Sequence, residues 1–133
     1  LTLQGISFDG NRMISAPRFA ETLAADYIVA AFDGYDLLIH VDGNYRTRQW
    51  YSAYNGATVA GINYAPISQA GYGLLNGRLA LNSDDDRYGI ALWGKNILNR
   101  KYVSYALPVS ATAQNYFLDG APATFGLQLN CKF

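Results

Sequence analysis

Cysteine, histidine and methionine each occur once in the 133 residues, proline four times, and charged side chains make up only 15%. A single cysteine, Cys131, excludes an intrachain disulfide framework and a multi-thiolate zinc site. A single histidine, His40, leaves no His cluster for a metal and no Ser-His-Asp set that spacing could support. Asp84, Asp85 and Asp86 lack the spaced ligands and terminal Glu of an EF-hand loop and read as a solvated turn. Ten basic residues against ten acidic ones give zero net charge, which removes the electrostatic argument for a nucleic-acid partner. Such a balance favours association over life as a free soluble protein. No apolar run approaches the ~20 residues of a membrane-spanning helix, the longest evident stretch being Tyr27 to Phe32. No initiator Met, basic n-region or secretory signal stands at Leu1, so a processed chain or a piece of a longer one is expected. With no nucleophile–base pair and no paired-carboxylate site arguable from spacing, neither an enzyme nor a cofactor is expected.

What the chain does hold is tyrosine, 11 residues, with 13 glycines and 10 asparagines in a sequence 50% hydrophobic. That composition admits a β-rich soluble module or a piece of a membrane β-barrel, whose signal per strand is weak. Periodicity separates the two. From Ala123 to the end, Phe125, Leu127, Leu129, Cys131 and Phe133 fall on one face and Thr124, Gly126, Gln128, Asn130 and Lys132 on the other. Unbroken period two is the mark of a strand, and a helix would mix the two sets. The length suits a tilted strand crossing a bilayer, which takes about 9–11 residues. Asp36 to Gln49 repeats the pattern: Leu37, Ile39, Val41, Gly43, Tyr45 and Thr47 oppose Leu38, His40, Asp42, Asn44, Arg46 and Arg48. A lipid-facing Arg near the bilayer midplane costs about 2–4 kcal/mol, so the odd face is the one expected to meet lipid.

Three further strands are expected. Glu21 to Ala31 sets Leu23, Ala25, Tyr27 and Val29 against Thr22, Ala24 and Asp26. Tyr72 to Leu81 sets Leu75, Leu79 and Leu81 against Asn76 and Arg78. Tyr88 to Lys95 groups Tyr88, Ile90 and Leu92, with Trp93 and Lys95 opposite, although Trp93 fits either phase. Asp33-Gly34 and Ser83 to Asp86 read as tight polar turns; Leu1 to Arg18, Ser52 to Ala70 and Asn99 to Pro122 read as long irregular segments. Alternating short and long connections are the habit of outer-membrane barrels.

The stretch Tyr88 to Tyr102 resembles the penultimate strand of TonB-dependent outer-membrane receptors. There an aromatic- and Gly-containing strand runs into an Asn-Leu-X-Asp/Asn-Lys/Arg-X-Tyr segment, matched by Asn96, Ile97, Leu98, Asn99, Arg100, Lys101 and Tyr102, with Ile97 in place of Leu. Pro122 to Phe133 is similar to that family's closing strand, with Ala123 where Arg is usual and Cys131 where an aromatic is common. Gly10 to Pro17 is similar to the Gly-X-X-Leu-X-X-Ala-Pro element before an earlier strand. The resemblance implies an all-β fold: an antiparallel transmembrane β-barrel segment of about five strands, part of a plugged barrel of about 22. Residues 1–133 would be the C-terminal part of the barrel domain, without the plug domain or the TonB-contacting box. It also implies the parent's role: an outer-membrane receptor of a Gram-negative bacterium importing a scarce solute, most often a ferric siderophore, with energy passed through TonB. Its partners would be the lipid bilayer of the outer membrane, TonB through an N-terminal part, the transported small-molecule complex and the barrel-assembly machinery.

Within that frame Thr124, Gly126, Leu129, Cys131 and Phe133 are similar to the terminal signal read by the assembly machinery, which can act by strand addition at an edge. Asp42, Arg46, Arg48 and Arg78 form a candidate polar network on the lumen face, with His40 hydrogen-bonded beside it. Tyr51, Tyr54, Tyr105, Tyr116 and Phe117 are candidates for contact with a captured ligand, with an interfacial aromatic girdle as the alternative. Cys131, on the apolar face, reads as a small hydrophobe. Two rivals stay open: a passive porin, whose closing strand would look much the same, and a soluble β-sandwich binding module.

Overall fold

The computed structural model describes residues 2–3, 6–32, 34–64, 66–85, 87–107 and 115–132. Asp33, Asp86 and Phe133 of the turns and terminal signal discussed above lie outside the described residues. Among the described residues every regular element is a strand. In chain order these are β1 Thr2–Leu3, β2 Ile6–Ser7, β3 Ala20–Phe32, β4 Tyr35–Arg46, β5 Gln49–Trp50, β6 Thr58–Val59, β7 Ile62–Asn63, β8 Ser68–Gln69, β9 Tyr72–Ser83, β10 Tyr88–Lys95, β11 Val103–Leu107, β12 Tyr116–Asp119 and β13 Thr124–Cys131. They divide between two compact units, one of Glu21–Tyr45, Gly73–Arg100 and Ala121–Phe133, the other of Leu1–Ala20, Arg46–Tyr72 and Lys101–Gly120.

The first, the sheet unit, is built on a five-stranded antiparallel sheet ordered β13-β10-β9-β4-β3. Each long strand lies beside its predecessor among the long strands, the up-and-down order that short turns and long excursions permit. All five expected strands are present. β10 meets β13 in a ladder from Tyr88↔Cys131 to Lys95↔Thr124, continued by the Lys132 N–H to the Arg87 carbonyl at 2.9 Å. On its other edge β10 meets β9 from Gly89↔Asn82 to Gly94↔Gly77. Directly opposed residues share a face. Leu79, Leu92 and Leu127 therefore stand in one row, and Leu81, Ile90 and Leu129 in the next. Trp93 opposes Arg78 and Gly126, which puts it on the other, polar face and decides its phase. Among the described residues this sheet is the unit's only layer. Its apolar row is accordingly open, with Leu92 54% and Leu129 71% exposed.

The loop unit, as the second is called here, is organised differently. Its strands pair locally or across short gaps: β1 with β2, β5 with β8, β6 with β7 and β11 with β12. A small core gathers Tyr51, Ile67 and Ala106, with Tyr64 and Val103 packed against it. The segments expected to be irregular thus contain paired strands. The second alternating run, expected to continue to Gln49, instead ends as β4 at Arg46, and Gln49–Trp50 starts afresh against Ser68–Gln69. Thr47 follows the last residue of β4 and faces Phe19, which precedes β3. Its N–H donates to the Phe19 carbonyl at 3.0 Å, and its hydroxyl accepts from the Phe19 N–H at 3.1 Å.

Candidate functional site

The polar face of the sheet unit carries a connected set of side chains drawn from β3, β4 and β9. His40 Nδ1 lies 2.6 Å from Asp26 Oδ1, and Nε2 lies 3.4 Å from Asp42 Oδ1. The Asn76 amide donates to Asp42 Oδ2 at 2.7 Å, while its own Oδ1 accepts the Asn96 backbone N–H at 2.9 Å. The chain therefore runs carboxylate, imidazole, carboxylate, amide, backbone, with His40 hydrogen-bonded as its place on the even phase implied. Beside it lies a groove of about 350 Å³ lined by His40, Asp42, Asn76, Arg78, Trp93 and Lys95, with Gln128 on the closing strand. Lys95 Nζ sits 5.8 Å from the Trp93 ring centroid, a cation–π contact. Charged-group hydrogen bonds of this kind hold side chains in place more firmly than neutral ones. What the arrangement offers is a fixed, wettable wall of mixed charge.

The four-residue network expected of Asp42, Arg46, Arg48 and Arg78 does not form. Asp42 and Arg78 line the groove, whereas Arg46 lies 5.5 Å over the Tyr72 ring and Arg48 5.7 Å over Trp50, all within the loop unit. Arg46 is the last residue of β4 and Arg48 lies just beyond it, and both guanidinium groups rest on aromatic faces, which attract cations.

Asn96 organises the turn after β10 and is the residue that spacing undervalued. It is 4% exposed, with a left-handed φ of 49°, where asparagine is better tolerated than most residues. Its amide donates to the carbonyls of Arg100 at 3.0 Å and Ala121 at 2.9 Å, and its Oδ1 accepts the Arg100 N–H at 2.8 Å. Asn99, also left-handed at 48°, accepts the Ala123 N–H at 3.1 Å. Two asparagines three residues apart thus tie the turn to the lead-in of β13. Ile97 leans over the two opposed glycines Gly77 and Gly94. Tyr102 stacks on Tyr72 at 4.6 Å and 19°, and covers Gly120, where any Cβ would overlap its ring. The only signal of all this in the chain was the Asn-Ile-Leu-Asn-Arg-Lys-Tyr wording itself.

The turn before β10 is held by a carboxylate. Asp85 Oδ1 accepts from the Ser83 hydroxyl at 2.7 Å and from the Arg87 N–H at 3.1 Å. The Ser83 hydrogen bond first, and the Arg87 N–H second, hold the Asp85 carboxyl below the ordinary carboxylate range.

The five aromatic candidates all belong to the loop unit and occupy three settings. Tyr51 is 4% exposed; its hydroxyl accepts from the Gln49 amide and donates to the Val103 carbonyl, both at 2.6 Å. Tyr54 packs on Tyr64 at 4.3 Å and on Phe8 at 5.4 Å. Tyr105 makes an edge contact with Tyr51 at 6.3 Å, and on the β11–β12 hairpin Tyr105, Tyr116 and Phe117 are exposed. Of the terminal residues, Thr124, Gly126, Leu129 and Cys131 lie on β13, whose sole sheet neighbour among the described residues is β10. Cys131 is exposed and unbridged.

No protein-family model matches this chain, and no curated protein or solved structure does either.

Proposed function

We propose that these strands are consecutive members of an outer-membrane β-barrel, the closing part of a TonB-dependent receptor importing a scarce solute such as a ferric siderophore. One observation carries the reading: a meander of five antiparallel strands whose apolar face is both continuous and exposed. In water such a face invites aggregation; against lipid tails it needs no second layer. The opposite face bears the Asp26–His40–Asp42–Asn76 chain, as a water-filled lumen would require. Strand length agrees. β4 and β9 have 12 residues each. At about 3.3 Å per residue and a tilt near 45°, such strands cross close to the ~30 Å hydrocarbon thickness. β10 and β13, at eight residues, fall just under the usual range. The edges at β3 and β13 are where further strands of the barrel would add. The TonB-dependent assignment rests on the Asn96-to-Tyr102 wording and on the closing strand. Thr124, Gly126, Leu129 and Cys131, with Phe133, serve barrel assembly, and the exposed aromatics of the β11–β12 hairpin are available to a captured complex.

Reading the complete frame and assaying uptake of ferric siderophores with and without TonB tests this function. TonB-dependent uptake is expected. A protein that folds as a water-soluble monomer without detergent, or uptake indifferent to TonB, overturns the reading.

A further inference from the structure

The pairing of β10 with β13 contains a reciprocal fit. β10 supplies the dipeptide Trp93-Gly94 and β13 the dipeptide Phe125-Gly126. Antiparallel pairing sets Trp93 opposite Gly126 and Gly94 opposite Phe125. Each aromatic ring therefore lies over the other strand's glycine. A Cβ added to Gly126 would overlap the Trp93 indole, and one added to Gly94 would come within 2.9 Å of the Phe125 ring. Neighbouring residues in a strand point to opposite faces, so one ring-in-socket contact lies on each side of the sheet.

This matters because the rest of the ladder does not choose its register well. A slip of one residue is forbidden, since it would turn the whole apolar row over. A slip of two keeps every face correct. Leu92 would then oppose Leu129 or Phe125 in place of Leu127, and Ile90 would oppose Cys131 or Leu127 in place of Leu129. Apolar partners replace apolar partners at almost no cost. The two sockets are different: a slip of two sets Trp93 against the side chain of Gln128 or Thr124 and takes Phe125 off Gly94. Aromatic cover of glycine across strands is a recognised way to pin register.

We propose that Trp93-Gly94 and Phe125-Gly126 form a two-sided joint that locks β13 in register on β10, with Gly126 acting as the socket for Trp93. The joint deepens the assembly role proposed for β13 and rests on that reading for its consequence in the cell. It makes Trp93 and Gly126 positioning residues, and it explains the glycine of the terminal segment by packing within the chain.

The test uses the complete protein in a Cys131→Ser background. Leu92→Cys combined with Leu127→Cys reports the native register, and Leu92→Cys combined with Leu129→Cys reports a slip of two. With the joint intact, oxidation bridges positions 92 and 127 and leaves 92 and 129 open. Gly126→Leu is expected to cut native bridging roughly tenfold, since overpacking costs a comparable factor, and to open the slipped bridge. Adding Trp93→Ala empties the clash and is expected to restore native bridging. Unchanged native bridging in Gly126→Leu overturns the proposal, as does a loss that Trp93→Ala leaves unrepaired. If Gly126→Leu alone yields no recoverable protein, the double variant decides: recovery supports the joint and continued loss overturns it. Fractionation of the unsubstituted protein is read separately. Its absence from the outer membrane sinks the barrel reading, while the bridging pattern still judges the joint.

Discussion

The two units of this chain keep their order by opposite means. The loop unit encloses a small core around a fully buried Ile67 and ties its segments with side-chain hydrogen bonds, such as Gln49 to Tyr51 and Tyr51 to Val103. The sheet unit has long strands, a complete backbone ladder between β10 and β13, and an apolar row left uncovered. One stabilises itself by hiding apolar surface from water; the other leaves that task to its surroundings. The lesson is that exposure has a different meaning in each. An exposed tyrosine on the β11–β12 hairpin is where a captured solute is proposed to make contact, whereas an exposed leucine on β13 is where lipid is proposed to sit.

Substitutions can break this contrast or sharpen it. The largest effect is expected at Ile67→Ala, which empties the loop unit's core and should cost about 2–5 kcal/mol. Limited proteolysis should then cut between residues 47 and 71 before it cuts the long strands. Leu127→Arg is next. Against lipid it should cost about 2–4 kcal/mol near the midplane, read as a lower urea midpoint for refolding into phospholipid vesicles. In water the same exposed position would tolerate arginine within about 0.5 kcal/mol, so a small effect would erase the contrast.

Two hydrogen-bond deletions give a matched pair of smaller size. Tyr51→Phe leaves the buried Gln49 amide and the Val103 carbonyl short of a partner, at about 1–3 kcal/mol. Asn96→Gly keeps the left-handed backbone but removes the amide contacts to Arg100 and Ala121, again at about 1–3 kcal/mol. Hydrogen exchange should show the first loosening only the loop unit and the second only the turn at Asn96 and the start of β13. Loosening that spreads to both units in either variant would mean they do not hold their order separately.

The smallest effect concerns pH. The native Asp85 carboxyl titrates below its unfolded value, so its contribution is present above that unfolded value, about 3.9. It is lost as pH falls through the lower native value, where protonation withdraws the acceptor from Ser83 and the Arg87 N–H. Protection of the Arg87 and Tyr88 amides, measured relative to an unstructured chain at the same pH, should fall only at pH values below that at which an unfolded aspartate titrates, with the core of the loop unit unchanged. Asp85→Asn should flatten that response.

Much of the sheet was legible because burial is not needed to set its pattern. As far as Arg46, the alternation expected for Asp36 to Gln49 named the faces correctly, as it did in the closing strand, and His40 emerged hydrogen-bonded on the polar one. The grouping of Arg46 and Arg48 with Asp42 and Arg78 did not arise, because period two fixes the face of a residue and not the partner of a long side chain. Arg46, at the end of β4, lies over Tyr72, and Arg48, beyond it, over Trp50. Trp93 fitted either phase for a similar reason, since a lone strand cannot reveal which residue will stand opposite. The loop core was not visible at all. Tyr51, Ile67 and Ala106 follow no common period, and Tyr51 reads by type as a surface aromatic.

By itself, then, the amino-acid order determined the five strands of the main sheet and their two faces, because successive side chains on an extended backbone must point to opposite sides whatever lies beyond them. Scarcity of charge and single copies of cysteine and histidine narrowed the chemistry in the same local way. Tertiary structure alone decided which residues meet across strands: Trp93 over Gly126, Phe125 over Gly94, Asn96 bound to Ala121, and a core drawn from three separate segments. Those contacts depend on register and on long loop closure, which are properties of the folded chain as a whole.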